Sequence, residues 1–303
     1  MADIVKEQSL EEEYKKTGIR PADVAALRDW LKTQPHLPEK YITDLDIILT
    51  YHCCYQSSEV SKQVLDLHYT LRTLFNNFFL NRKVDDNVIK TLNVVLTVPL
   101  SIPSTIDNFK VVYHRLIDFD TKNFVFPDAL RAVLMILDLI QYEEGTWPGF
   151  IILIDLTGVS LGHIAKLDLL SVQQVLYYLQ EAMLVKLKGL HFMNAPSYVD
   201  RLLMILKPFM KKELLQMLCI HSVGTNTVDK VVPMKALPKE AGGECKTFEE
   251  AKNDMIEKFV ANKDFFLNEN RKRVVESLRP GKPKTLTDIF GGIEGSFKKL
   301  EID

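Results

Sequence analysis

Apolar positions recur every three or four residues through the first part of the chain, then give way to continuous apolar runs. Arg20-Pro21-Ala22-Asp23 opens a helix in which Val24, Leu27, Trp30 and Leu31 share a face. Pro35 and Pro38 punctuate it. A second helix is predicted over Asp44–Tyr55. A third starts at Ser58, read as its N-cap with Glu59 in the first turn, and runs through Val64, Leu67, Leu71 and Leu74. No glycine interrupts 22–81, which suits a small helical bundle.

The pattern changes further on. Phe109–Ile117 reads as a strand. Pro127-Asp128 opens an amphipathic helix with Leu130, Val133, Leu134 and Leu137 on one side. Gly149–Leu156 is apolar almost throughout, as in a strand buried on both faces of a parallel sheet. Val172, Val175, Leu176, Leu179 and Met183 follow at helical spacing. Strands are predicted again at Leu187–Met193 and Met217–His221. Strands alternating with helices give an α/β fold. The expected architecture is an N-terminal helical bundle, then a mixed, largely parallel sheet flanked by helices. A helix over Phe248–Phe259 and a tail with Pro280, Pro283 and Gly291-Gly292 complete the chain. The expected divisions are 1–90, 91–247 and 248–303.

One predicted helix stands out. Val199, Leu202, Leu203 and Leu206 fall at i, i+3, i+4 and i+7, while Tyr198, Met204 and Ile205 spread apolar surface round the remainder. Such a segment is too apolar for an exposed surface and too short to span a bilayer. It has the chemistry of a lid over a fat-binding cavity.

Composition narrows the classes. With 303 residues, 47% of them hydrophobic, and a formal net charge of −2, the chain can bury a large core. It lacks the basic excess that general nucleic-acid binding requires. The polar start Met1-Ala-Asp-Ile-Val-Lys-Glu has no apolar signal core. No apolar run reaches the ~18 residues of a spanning helix. The four cysteines, Cys53, Cys54, Cys219 and Cys245, form neither a zinc-type pair nor a dense framework. A cytoplasmic, monomeric protein without cofactor or metal is expected.

Two motifs invite catalytic readings. Gly158-Val-Ser160-Leu-Gly162 spells the nucleophile elbow of a hydrolase, between a strand and a helix. Only Asp200 and His221 then follow Ser160 in the usual order, and no His-Gly-Gly oxyanion segment precedes it. A serine esterase is the remote alternative. His52-Cys53-Cys54 lacks a partner pair at metal-ligand spacing, and no glycine-rich phosphate loop is present. His191 and His221 are expected to be hydrogen-bonded structural histidines.

The order of motifs resembles the CRAL-TRIO lipid-transfer family. The matching residues are Asp155-Leu-Thr-Gly158, Lys188-Gly-Leu-His191-x-x-Asn194-x-Pro196, Lys207-Pro208-Phe209, His221 and Leu237-Pro238-x-Glu240-x-Gly242-Gly243. The ending Gly295–Asp303 is similar to arthropod α-tocopherol-transfer-like members. The resemblance implies no catalytic residues and a soluble carrier of a small tocopherol- or retinoid-like lipid. Its pocket would be lined by Phe150, Ile152, Ile154, Val175, Tyr178, Leu179, Met183, Leu190 and Phe192. Val199, Leu202, Leu203, Leu206 and Met210 would form the lid. Lys186, Lys188, Lys207, Lys211 and Lys212 would meet a membrane surface containing phosphoinositide. Glu213 and Met217 depart from this pattern, at positions that are basic in the family's tocopherol carriers. Phospholipid or phosphoinositide exchange and a lipid-regulated adaptor remain the alternatives.

Overall fold

A computed structural model describes residues 4–297. Residues 298–303, which end the C-terminal stretch singled out above, lie outside the described residues. The chain begins with α1 (Leu10–Thr17), α2 (Pro21–Lys32), α3 (Asp44–Cys53) and α4 (Ser58–Leu74). Leu27 and Leu31 of α2, Ile47 and Ile48 of α3, and Leu65 and Tyr69 of α4 make one buried patch. The N-cap of α4 is Ser57 rather than Ser58. Its hydroxyl accepts from the backbone N–H of Val60, so Ser58 is already the first helical residue. Two short helices, α5 (Asn76–Phe79) and α6 (Asp86–Leu92), lead into the sheet.

The sheet holds β1 (Val95–Pro99), β2 (Lys110–Leu116), β3 (Phe150–Asp155), β4 (Leu187–Ala195) and β5 (Leu218–Ser222), side by side in chain order. β1 is antiparallel to β2, and the other three pairings are parallel. The short edge strand β1 escaped the sequence reading; it ends on Pro99, which cannot donate to a ladder.

Strand order places the site. β2 to β5 advance one neighbour at a time in one direction. Right-handed crossovers then put every connecting helix on the same face. That front face receives α7 (Phe126–Glu144), α8 (Leu161–Ile164), α9 (Leu169–Glu181), α10 (Val199–Leu206) and α11 (Lys212–Met217). Because register pairs Val112 with Ile152, Ile152 with Leu190, and Leu190 with Leu218, these residues all point forward. Val111, Tyr113, Ile151, Leu153 and Met193 point back, into a core shared with Val228, Val232 and Leu237.

Beyond the sheet, the expected helix is α12 (Phe248–Ala261), and what reads as a tail carries α13 (Lys263–Glu269) and α14 (Leu286–Phe297). This segment returns to the N-terminal bundle. Lys272 pairs with Asp46 at 2.8 Å, Arg279 with Asp66 at 2.7 Å, and the Phe290 ring stacks on Phe75 at 5.9 Å.

Candidate functional site

The front face of the sheet is unevenly buried. Ile152 and Ile154 belong to β3, which is hydrogen-bonded on both sides, yet both keep accessible surface. A central strand covered by helices is normally buried. Val133 on α7, Val175 and Leu179 on α9, Leu187 on β4 and Leu206 on α10 are also only half-buried. A closed core forms one contiguous set of contacts. Here the apolar side chains gather into separate patches. One surrounds Trp147 and Phe150, a second Phe79 and Tyr178, a third Phe192, Leu202 and Leu203, and a fourth Val172, Leu190 and Met210. Ile152, Ile154, Val175, Met183 and Leu206 each touch two of them. Accessible apolar surface between patches, at the middle of a covered sheet, marks the candidate hollow.

An opening lies beside it. A cavity of about 630 Å³ separates α8 and the start of α9 from the outer flank of α10. Leu161, Ile164, Leu169, Met204 and Ile205 give it an apolar wall, with Arg201 at the wall as well. This falls within the usual size range of small-molecule sites. None of the residues proposed from the sequence as pocket or lid lines it. Ile164 and Ile205 pack into the patch that holds Phe192 and Leu203, and Phe209 into the one that holds Leu190. One layer of side chains therefore parts the opening from the hollow.

The sequence-proposed pocket residues divide. Ile152, Ile154, Val175, Leu179, Leu190 and Phe192 stand on the elements facing the hollow. Phe150 is fully buried and stacks on Trp147 at 5.4 Å. Tyr178 is turned toward α4, its ring 5.1 Å from Phe79 and its hydroxyl 3.4 Å from His68 Nδ1. Helical geometry sets the offset: relative to Val175, Leu179 lies about 40° round the axis to one side and Tyr178 about 60° to the other, so Tyr178 takes the flank toward α4. Met183 falls beyond the end of α9, whose C-cap is Ala182, and packs between α7 and α4.

α10 covers the hollow. Leu202 and Leu203 are buried against Leu156, Phe192 and Ala195; Val199 and Leu206 pack at their margins. Met210, just beyond, is buried with Val172 and Leu214. Met204 on the opposite side is 68% exposed. Hydrogen bonds fasten both ends. The Tyr198 hydroxyl donates to the Val159 carbonyl at 2.5 Å. Gln180 on α9 donates to the Phe209 carbonyl at 3.0 Å and accepts from the Lys211 N–H at 2.7 Å.

The five lysines form two groups. Lys186 and Lys188 lie over the Tyr55 ring, 4.9 and 5.7 Å from its centre, and Lys188 donates to its hydroxyl. Burial pushes the Lys186 ammonium down, against a smaller upward pull from Tyr55. Lys211 pairs with Glu181 at 2.5 Å. Lys207 and Lys212 are exposed beside the C-terminal end of α10.

The motif residues brace this arrangement from the strand ends. Asp155 accepts hydrogen bonds from Tyr113 at 2.6 Å, Asn194 at 2.9 Å, and both the N–H and hydroxyl of Thr157 at 2.9 and 2.7 Å. Burial pushes its carboxyl up, but these donors outweigh it and hold it below the usual range. Gly158 turns the chain at φ +80°, where a Cβ would meet the Phe119 ring. His191 Nδ1 lies 3.0 Å from His221 Nε2, and His221 Nδ1 lies 2.7 Å from the Thr227 hydroxyl. Burial pushes His191 down to about 4, with His221 adding to the shift. Ser160 caps α8, its hydroxyl 2.9 Å from His163 Nδ1; His221 is bound elsewhere, and Asp200 is exposed at the start of α10. The triad proposed around Ser160 is not assembled.

Residues 106–243 match the CRAL/TRIO domain, and residues 16–89 match the Pinta-like, UBA domain. That match sets residues 106–243 beside the CRAL-TRIO lipid-transfer proteins, which are not enzymes. It is similar to Clavesin-1 of Xenopus laevis, with 26% identity over 227 residues, covering 73% of this chain and 67% of that protein. Clavesin-1 of Rattus norvegicus matches at the same identity over 63% of its length, so the match spans about two thirds of these relatives. The alpha-tocopherol transfer protein-like protein of Homo sapiens is 29% identical over 148 residues, covering 48% of this chain and 43% of that protein. Among solved structures, that of Sfh5 aligns with a TM-score of 0.49 at 17% identity, over 76% of this chain and 85% of that one. Among the described residues, no helix is long and apolar enough to cross a membrane.

Proposed function

We propose that this chain carries one small hydrophobic lipid, of tocopherol or retinoid type, through the cytoplasm and exchanges it at membrane surfaces. The carrying observation is the half-buried apolar surface of Ile152 and Ile154, at the centre of a covered sheet and beneath α10. The family and the alpha-tocopherol transfer protein-like relative support the same reading.

The energetics suffice. Enclosing ~400 Å² of apolar ligand at ~25 cal/mol per Å² stabilises the complex by roughly 10 kcal/mol before ordering costs. α10 acts as the lid. Its inner leucines seal the hollow in water, and when it swings away they expose an apolar face that a bilayer can receive. Lys207 and Lys212 stand where an anionic surface, including a phosphoinositide headgroup, would meet the opened end.

The test is direct. The chain is purified from cells, extracted with organic solvent, and the extract analysed by mass spectrometry. One lipid species near equimolar amount is expected. A purified chain that yields no lipid, and takes none up from labelled vesicles, rules the carrier reading out.

A further inference from the structure

The apolar front row of the sheet contains one polar pair. Thr97, His114, Ile154 and Phe192 lie opposite one another in register, from β1 across to β4. Ile154 and Phe192 belong beneath α10. His114 is one strand over, ~4.8 Å along the hydrogen-bonding direction. A histidine in such a row is costly unless its nitrogens are satisfied. Thr97, which is 2% exposed, satisfies one: its hydroxyl lies 2.7 Å from His114 Nδ1. No hydrogen bond to His114 Nε2 is made among the described residues.

Burial pushes the His114 imidazole down to about 4, so it is neutral at pH 7. The residue nevertheless keeps accessible surface. Both facts hold for a group that faces an internal space instead of bulk solvent.

The tautomer follows from bookkeeping of protons. A neutral imidazole carries a single N–H. If Nδ1 carried it, Nδ1 would donate to Thr97, and the buried Thr97 proton would have no acceptor. If Thr97 donates to Nδ1, both groups are satisfied and the imidazole proton sits on Nε2, aimed away from Thr97. The pair then presents one neutral donor to the hollow.

We propose that His114, oriented by Thr97, is the polar anchor of the hollow and donates from Nε2 to an uncharged oxygen of the lipid, a hydroxyl or a carbonyl. This rests on the carrier reading and names the ligand class: a long hydrocarbon body with one neutral oxygen acceptor. A cationic amine lacks the acceptor, and an unadorned hydrocarbon leaves Nε2 unpaired.

The experiment uses the full chain stripped of lipid, with diphenylhexatriene as fluorescent reporter. Hexadecane, 1-hexadecanol and 2-hexadecanone compete for it. The wild-type chain should favour the alcohol and the ketone over the alkane by roughly fivefold to tenfold, the worth of one hydrogen bond. His114→Phe should erase that preference while still binding the reporter. Nitrogen NMR of the wild-type chain should show His114 in the Nε2–H tautomer, and Thr97→Val should lose that single tautomer. An unchanged preference in His114→Phe, or an Nδ1–H tautomer in the wild type, overturns the anchor. If His114→Phe does not fold, the wild-type tautomer decides. Failure of the wild-type chain to bind diphenylhexatriene strikes instead at the carrier reading.

Discussion

Two aspartates, Asp155 buried and Asp138 half-buried, show how single residues hold the site in place. Asp155 ties β2, β4 and the turn after β3 to one carboxylate, which accounts for both Asp155 and Asn194 of the motifs in packing terms. Asp138 on α7 accepts from Arg72 at 2.8 Å and from Arg82 at 2.6 Å. Arg72 also reaches Glu269 at 3.0 Å, and Lys272 bridges Glu269 and Asp46 at 2.6 and 2.8 Å. Three cations thus meet three anions, and all but Arg82 line a cavity of about 40 Å³, room for one water or two. Burial pushes the Asp138 carboxyl up, but Arg72 and Arg82 outweigh it and hold it well below the usual range. Its folded pKa is depressed, so its contribution is present above an unfolded carboxylate pKa of about 4 and fades as pH falls toward the folded value. Asp138→Ala leaves Arg82 buried without that partner and should cost about 3–5 kcal/mol. Urea denaturation at pH 7 measures the loss, and the variant's stability should fall less than wild type's between about pH 4 and pH 2. An unaltered midpoint at pH 7 would remove the network from the account.

Among the elements, the sequence reveals those whose pattern is set by burial. β3 reads as a continuous apolar run because it is covered on both faces, and α10 reads as a stripe because Leu202 and Leu203 face inward. The opening is less legible. Leu161, Leu169 and Met204 are exposed apolar residues, and nothing in their spacing separates them from ordinary surface leucines. The family resemblance alone sets Tyr178 in the hollow; only the packing of α4 and α7 shows which way its face turns. His114 is equally silent in sequence, since its meaning depends on Thr97, a neighbour supplied by an edge strand that the pattern did not reveal. The lid itself can be tested by position. Leu203 is 6% exposed and Met204 68%, on adjacent positions of one helix. Leu203→Asp places a carboxylate against Leu156 and Phe192, which favours the open state. Release of diphenylhexatriene to neutral vesicles should quicken at least about tenfold, the equivalent of ~1.4 kcal/mol. Met204→Asp should leave release near the wild-type rate. Equal release from the two variants and wild type would dissociate α10 from gating.

At the scale of the molecule, the segment after α12 packs against the N-terminal bundle and against α7 and α9, so those two front helices are braced from behind. Arg273 donates to the carbonyls of Arg72, Thr73 and Phe79, and Val275 donates to the His36 carbonyl at 2.9 Å. α10 is tied more lightly: among the described residues its polar ties are one hydroxyl at its start and, past its end, the Gln180 clamp and the Lys211–Glu181 pair. Opening therefore costs little elsewhere, and what drives it must come from outside the protein. A net charge of −2 gives no general attraction to anionic lipid, so local charge decides the approach. Lys186 and Lys188 are engaged by Tyr55 and Lys211 by Glu181, whereas Lys207 and Lys212 are exposed at the end of α10. Each exposed lysine near a membrane contributes about 1 kcal/mol. Replacing both Lys207 and Lys212 by Ala should weaken binding to phosphatidylserine vesicles by about thirtyfold at low salt, and the difference should shrink as ionic strength rises. Lys186→Ala with Lys188→Ala should weaken it less, because those ammoniums are already committed. Sedimentation with vesicles at two salt concentrations measures both. If the two pairs of substitutions behave alike, docking is spread over the surface and not focused where the lid opens.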